Sequence, residues 1–93
     1  MGAKLTALIL VVFLGSGCAR APVQEMSDAR QALDAAEAAA VGGEPPEELV
    51  QGRELLHGAE ESLDRGEYEQ ARELALEARR AAVTARESSL AEY

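Results

Sequence analysis

Apolar residues fall into four stretches along the chain. The first, Leu5 to Leu14, is apolar apart from Thr6. The other three are sparser and periodic. Met26, Ala29, Leu33, Ala36 and Ala40 form one set; Leu49, Gly52, Leu56, Ala59 and Leu63 form the next. The last is Tyr68, Ala71, Ala75, Ala78, Ala82, Ala85 and Ser89. Each set steps by three and four residues in turn, which places it on one face of an α-helix. The pattern predicts helices over about 25–41, 46–65 and 67–90. Gly42-Gly43-Glu44-Pro45-Pro46 parts the first two, and Arg65-Gly66 parts the second and third. Glycine just past a helix end and proline at a helix start are the punctuation such an arrangement needs.

Short connections make neighbouring helices antiparallel, so the expected fold is all-α, with three helices running up, down and up. In an antiparallel pair, facing residues have a constant sum of numbers. Leu63 with Tyr68, Leu56 with Ala75 and Leu49 with Ala82 each sum to 131, and Ala59 with Ala71 and Gly52 with Ala78 to 130. Large residues then meet small ones. For the first hairpin, Leu63 with Met26, Leu56 with Leu33 and Leu49 with Ala40 each sum to 89. Sustained three-four alternation with small seam residues predicts coiled-coil-like packing at close approach.

Met26, Leu33, Leu49, Leu56 and Leu63 carry most of this core. Full burial of such a side chain stabilises by about 1.5–3 kcal/mol, while ordering a residue costs about 1.5 kcal/mol. A domain this small has little stability to spare, so self-association or a partner is expected to help. The third helix is the longest. Its end, near Leu90 and Tyr93, either overhangs as an apolar contact or frays.

The stretch before the helices reads differently. Lys4, the apolar run and then Gly15, Ser16 and Gly17 have the anatomy of a signal peptide. The uncharged run from Leu5 to Ala19 is shorter than the roughly 20 residues a spanning helix needs. Cleavage by an ordinary signal peptidase fits Ala19-Arg20-Ala21, but Pro22 follows that bond and disfavours it; a cut after Ala19 stays open. Leu14-Gly15-Ser16-Gly17-Cys18 resembles the lipobox of bacterial lipoproteins, with one departure: leucine stands four residues before the cysteine rather than three. The resemblance implies cleavage before Cys18 and a diacylglyceryl group on its thiol. Residues 1–17 are then a signal peptide, 18–24 a lipidated tether and 25–93 the helical domain. Several acyl chains give stable anchoring, at about 0.8 kcal/mol per buried CH₂. By analogy with enteric sorting, Ala19 points to the outer membrane, facing the periplasm.

Composition narrows the function. The net charge is −8 over 93 residues, which argues against nucleic acid as a partner. One cysteine allows no internal disulfide. His57 is the only histidine, and a metal site needs three or four ligands in a defined geometry. The sequence carries neither a nucleophile, base and orienter set nor a glycine-rich phosphate loop. No enzyme activity, metal or cofactor is therefore expected. Glu44, Glu47 and Glu48 crowd the start of the second helix, where acids favour the macrodipole. Arg72, Arg79 and Arg86 recur every seven residues. They form either a strip for an acidic ligand or a flank whose stems cover the seam and whose heads pair with acids such as Glu60.

Gly66 to Ala78, reading GEYEQARELALEA, resembles the second helix of a tetratricopeptide repeat. The resemblance implies a turn at Gly66 and Tyr68 and close packing at Ala71 and Ala78; no 34-residue repetition accompanies it. More broadly, the chain resembles a family of small bacterial lipoproteins built on a helical domain of unknown function. Pro46, Glu48 and Leu49, then Gly66, Tyr68, Ala71, Arg72, Leu74 and Ala75, carry that likeness. Gly52 and Gly58 stand where alanine is more usual, and should weaken the middle helix by about 1 kcal/mol each. The expected role is a lipid-anchored interaction module of the cell envelope, bound to the membrane and to an envelope protein. The rivals are a self-associating spacer and a peptide-binding co-factor. Covalent attachment to peptidoglycan through a C-terminal lysine is not expected, because no lysine follows Cys18.

Overall fold

The computed structural model describes residues 20–91. Cys18 and the expected signal peptide lie outside the described residues. Within them the fold is all-α and runs up, down and up: α1 spans Val23–Ala39, α2 Glu47–Asp64 and α3 Tyr68–Ala91.

The ends follow from local chemistry. Pro22 stands just before α1, and its carbonyl accepts the Met26 amide at 3.0 Å. Its fixed φ of −79° favours helix entry, so α1 starts two residues earlier than the periodicity suggests. At the other end the Ala40 amide is shared between the Ala36 and Glu37 carbonyls, both at 3.1 Å. Gly42, at φ +95°, then turns the chain away. Pro46 caps α2 from outside rather than opening it, its carbonyl accepting from Leu49 and Val50. Glu47 and Glu48 occupy the first turn, where negative charge is favoured.

The α2–α3 connection is a Schellman motif. Gly66, at φ +77°, donates to the Leu63 carbonyl at 3.0 Å, and Glu67 donates to the Ser62 carbonyl at 2.9 Å. Glu67 also accepts from Arg65 Nε at 2.8 Å, a bond that raises the Arg65 guanidinium's pKa. The Glu67 carbonyl then receives the Ala71 amide and starts α3.

The central helix of the packing is α3. Its seam is Ala71, Ala75, Ala78, Ala82, Ala85 and Ser89, all buried. Alanine lets a neighbouring backbone come close on either side, and α3 packs extensively on both α1 and α2. Two clusters result. Met26, Ala29, Ala59, Ala75 and Ala78 form one; Leu33, Ala36, Leu49, Ala82 and Ala85 form the other. The α1 and α3 seams run parallel at a constant offset of 49 residues, so that Met26 and Ala29 cluster with Ala75 and Ala78, and Leu33 and Ala36 with Ala82 and Ala85. Forty-nine residues is seven heptads, which keeps the two stripes in phase.

The first hairpin differs from expectation in its intimacy. Helices α1 and α2 touch only sparsely. Met26, Leu33, Leu56 and Leu63 are long enough to hold those two backbones apart, whereas the alanines of α3 are not. The pairing register of this hairpin is still visible in two ion pairs across it. Arg30 Nη2 lies 3.5 Å from Glu60 Oε1, and Arg53 pairs with Glu37; each pair of numbers sums to 90, one away from the expected 89.

Individual seam positions also shift. Leu56 and Leu63 are half-buried, and Ser62 is buried to 1% exposure. The Ser62 carbonyl accepts the Glu67 amide of the returning chain, and Leu63 stays at the margin. Tyr68, expected to head the third seam, is 38% exposed. It opens α3 at the tight turn, where little helix stands opposite.

Candidate functional site

Helix α3 carries a second three-four seam, one residue after the first: Arg72, Leu76, Arg79, Val83, Arg86 and Leu90. A one-residue shift rotates the stripe by about 100° around the helix. The buried alanine seam faces the core, so the second seam faces out beside α1. Leu76 is 36% exposed, Val83 44% and Leu90 54%.

Its first member is partly covered. Arg72 donates from Nε to Glu25 Oε2 at 3.1 Å, from Nη1 to Glu69 at 3.3 Å and from Nη2 to the Arg20 carbonyl at 3.2 Å. Three donors of one planar guanidinium thus hold the start of α1, the chain before it and the first turn of α3. This clamp fixes where the chain before α1 joins the helices.

Beyond the clamp, α1 and α3 form an open groove of about 420 Å³. Ala32 and Ala35 of α1 line it opposite Val83 and Leu90 of α3. Asp28, Gln31, Arg79, Arg86 and Glu87 complete its walls. Among the described residues, Arg79 and Arg86 form no ion pair, and Glu60, the acid expected to serve them, binds Arg30 instead. The three arginines therefore separate into one that builds the fold and two that face solvent.

The remaining residues read from the sequence are dispersed. Gly66 holds the Schellman turn, and Ala71 and Ala78 are buried in the α3 seam, while Tyr68 stands exposed beside the turn. The exposed His57 places Nε2 3.1 Å from Glu61 Oε1, one turn along the same helix. Among the described residues no group of three His, Cys, Asp or Glu side chains could hold a metal ion. No helix among them is long and apolar enough to cross a membrane. Cys18, the residue expected to carry lipid, lies outside them.

A family described as Domain of unknown function (DUF4398) matches residues 24–93. The chain belongs to this family. The match begins at Gln24, in the first turn of α1, and takes in all three helices. The groove lies within the matched residues, whereas the Arg72 clamp also reaches the Arg20 carbonyl, just before them. No curated protein and no solved structure matches the chain. Leu76 and Val83 are missed by the first three-four pattern, and Leu90 enters it only as the helix end, although the signal is present. A second three-four alternation stands one residue behind the first, with arginine occupying every other place.

Proposed function

We propose that this DUF4398 protein is a lipid-anchored, periplasm-facing interaction module of the bacterial cell envelope that acts by protein contact rather than catalysis. The α1–α3 groove carries this reading. Its floor is apolar, its walls carry Asp28 and Glu87 beside Arg79 and Arg86, which form no ion pair among the described residues, and α2 leaves it uncovered. Such a surface suits a helix that brings an apolar stripe flanked by charged residues. The anchoring half of the reading rests on Cys18 and its small neighbours. Chemistry is disfavoured because the histidine, His57, is exposed on α2 and lines no wall of the groove that holds Asp28 and Glu87.

Site-specific photocrosslinking in intact cells tests the contact. A crosslinker at Val83 is expected to capture a discrete protein, whereas one at His57, on exposed α2, is not. Equal capture from both positions, or none from Val83, would overturn the assignment of this groove.

A further inference from the structure

The start of α1, the end of α2 and the start of α3 lie at one end of the bundle, where Met26 and Ala29 cluster with Ala59 and Ala75 and Arg72 holds Glu25. We infer that, with Cys18 acylated, this end rests on phospholipid headgroups, the turn from Arg65 to Tyr68 and exposed Val23 making the contact. The link between α1 and α2 then points away from the bilayer. This deepens the lipid-anchored reading by naming the surface the domain meets, and it rests on that reading. Helix α1 starts at Val23, so a free chain would leave Ala19 to Pro22 as slack between the helix and the acylated residue. Four such residues reach about 14 Å. The clamp removes most of this slack. Arg72 Nη2 donates to the Arg20 carbonyl at 3.2 Å, and the Ala21 carbonyl accepts the Val23 amide at 2.8 Å. Ala19 alone then separates Cys18 from a fixed residue, and two residue steps span at most about 7 Å.

The fixed carbonyl also has a known height in the bundle. A helical side chain slants toward the start of its helix, and Arg72 does so, its Nη1 reaching Glu69 at 3.3 Å. Arg20 is therefore level with the first turn of α3, and the bilayer holding its neighbour's lipid lies close to Tyr68. The residues at this end suit a headgroup layer. Tyr68 is 38% exposed, and a tyrosine offers an apolar ring with a polar tip. Arg20 and Arg65 are exposed donors for phosphate. Charge separates the two ends. Arg20, Arg65 and Arg72 nearly balance Glu25, Asp64, Glu67 and Glu69. The far end holds Glu44, Glu47 and Glu48, with no base from residue 39 to residue 52. Anionic headgroups repel that end and spare the near one. Upright on this end, the domain carries Val83 of the groove about 16 Å further from the bilayer than Arg72.

Fluorescence quenching on vesicles provides the test. The chain is extracted from the membranes of cells that make it and reconstituted in vesicles of phosphatidylcholine and phosphatidylglycerol, a fraction of whose headgroups carry a nitroxide. It has no tryptophan, so Tyr68→Trp and Val41→Trp, both at exposed positions, report one end each. The expected result is quenching of Tyr68→Trp at least threefold stronger than that of Val41→Trp. Adding Arg72→Ala to Tyr68→Trp frees Arg20 and should halve the quenching while helical content is retained; the comparison of the two ends does not depend on that variant. Equal quenching at both ends, or stronger quenching of Val41→Trp, in a chain that is acylated and floats with the vesicles would overturn the orientation and leave the anchor standing. Quenching unchanged by Arg72→Ala would overturn the part given to the clamp. An N-terminal peptide that carries no acyl group by mass spectrometry would overturn the anchor, and this inference with it.

Discussion

A methyl group placed on Gly52 would stand 2.9 Å from Cδ2 of Leu33 and 3.3 Å from the Ala78 carbonyl oxygen. Gly52 is therefore the point where all three helices meet, with Leu33 of α1 seated in the space a side chain would take. Gly58 is different: a methyl there meets only Leu74 Cδ1, at 3.4 Å. The two glycines of α2 should respond oppositely to alanine. Gly58→Ala gains helix propensity and should stabilise by about 1 kcal/mol. Gly52→Ala gains as much but must displace buried Leu33 or the α3 backbone, and overpacking costs about 1–3 kcal/mol. Urea unfolding should show Gly52→Ala less stable than the parent by about 1 kcal/mol. A stabilised Gly52→Ala would mean that the helices are not so close.

The hydroxyl of Ser62 is buried and has no hydrogen-bond partner. A buried polar atom left unpaired costs about 1–3 kcal/mol. Ser62→Ala removes the group, keeps the volume nearly constant and improves helix propensity. The expected change is a gain of about 1–2 kcal/mol in unfolding free energy. A loss on this substitution would instead assign the hydroxyl a bond that stabilises the end of α2.

The helices and most of their buried faces are legible in the sequence because alternation by three and four is a geometric property of a single helix. Gly66 is legible for a similar reason, since so short a link between helices, Arg65 to Glu67, demands a residue at positive φ. What one helix cannot report is the company it keeps. Ser62 is buried where Leu63 is only half-buried, a choice of face that packing between helices makes. The preference of α1 for α3 over its sequence neighbour α2 follows from side-chain length on the facing stripes, which becomes visible only when all three stripes compete. Gly52 has a packing role that no single helix reports. Propensity alone treats it as a defect, yet the absent side chain is what admits Leu33. The exposed α3 seam was hidden by its composition, because alternate arginines look like an ordinary solvated face.

Arg72 and Glu25 join α3 to α1 with side chains 29% and 25% exposed. Partial burial should make this pair worth more than a fully solvated one. A double-mutant cycle of Arg72→Ala and Glu25→Ala should give a coupling of about 1 kcal/mol that shrinks as salt is added. The same cycle on Arg30 and Glu60, 51% and 44% exposed, should give less than half as much. Arg72→Lys should lose most of the coupling, since one ammonium cannot serve Glu25, Glu69 and the Arg20 carbonyl at fixed angles. Equal couplings for the two pairs would remove the clamp from the account of how the tether is held.

Cys18 stands two residues before Arg20, whose carbonyl the clamp holds. If its thiol carries acyl chains, they supply a membrane anchor; no helix among the described residues is long and apolar enough to cross the bilayer. Replacing Cys18 with alanine deletes the acceptor of the lipid and leaves the apolar run and the helical domain as they are. Several chains at about 0.8 kcal/mol per buried CH₂ make the difference between stable and negligible membrane binding. Cys18→Ala is therefore expected to leave the precursor uncut before residue 18 and to abolish the lipid-modified form, read by mass spectrometry of the N-terminal peptide. A variant that is still cut at that bond and still sediments with membranes would rule out lipidation, and the small residues before Cys18 would then mark an ordinary cleavage site.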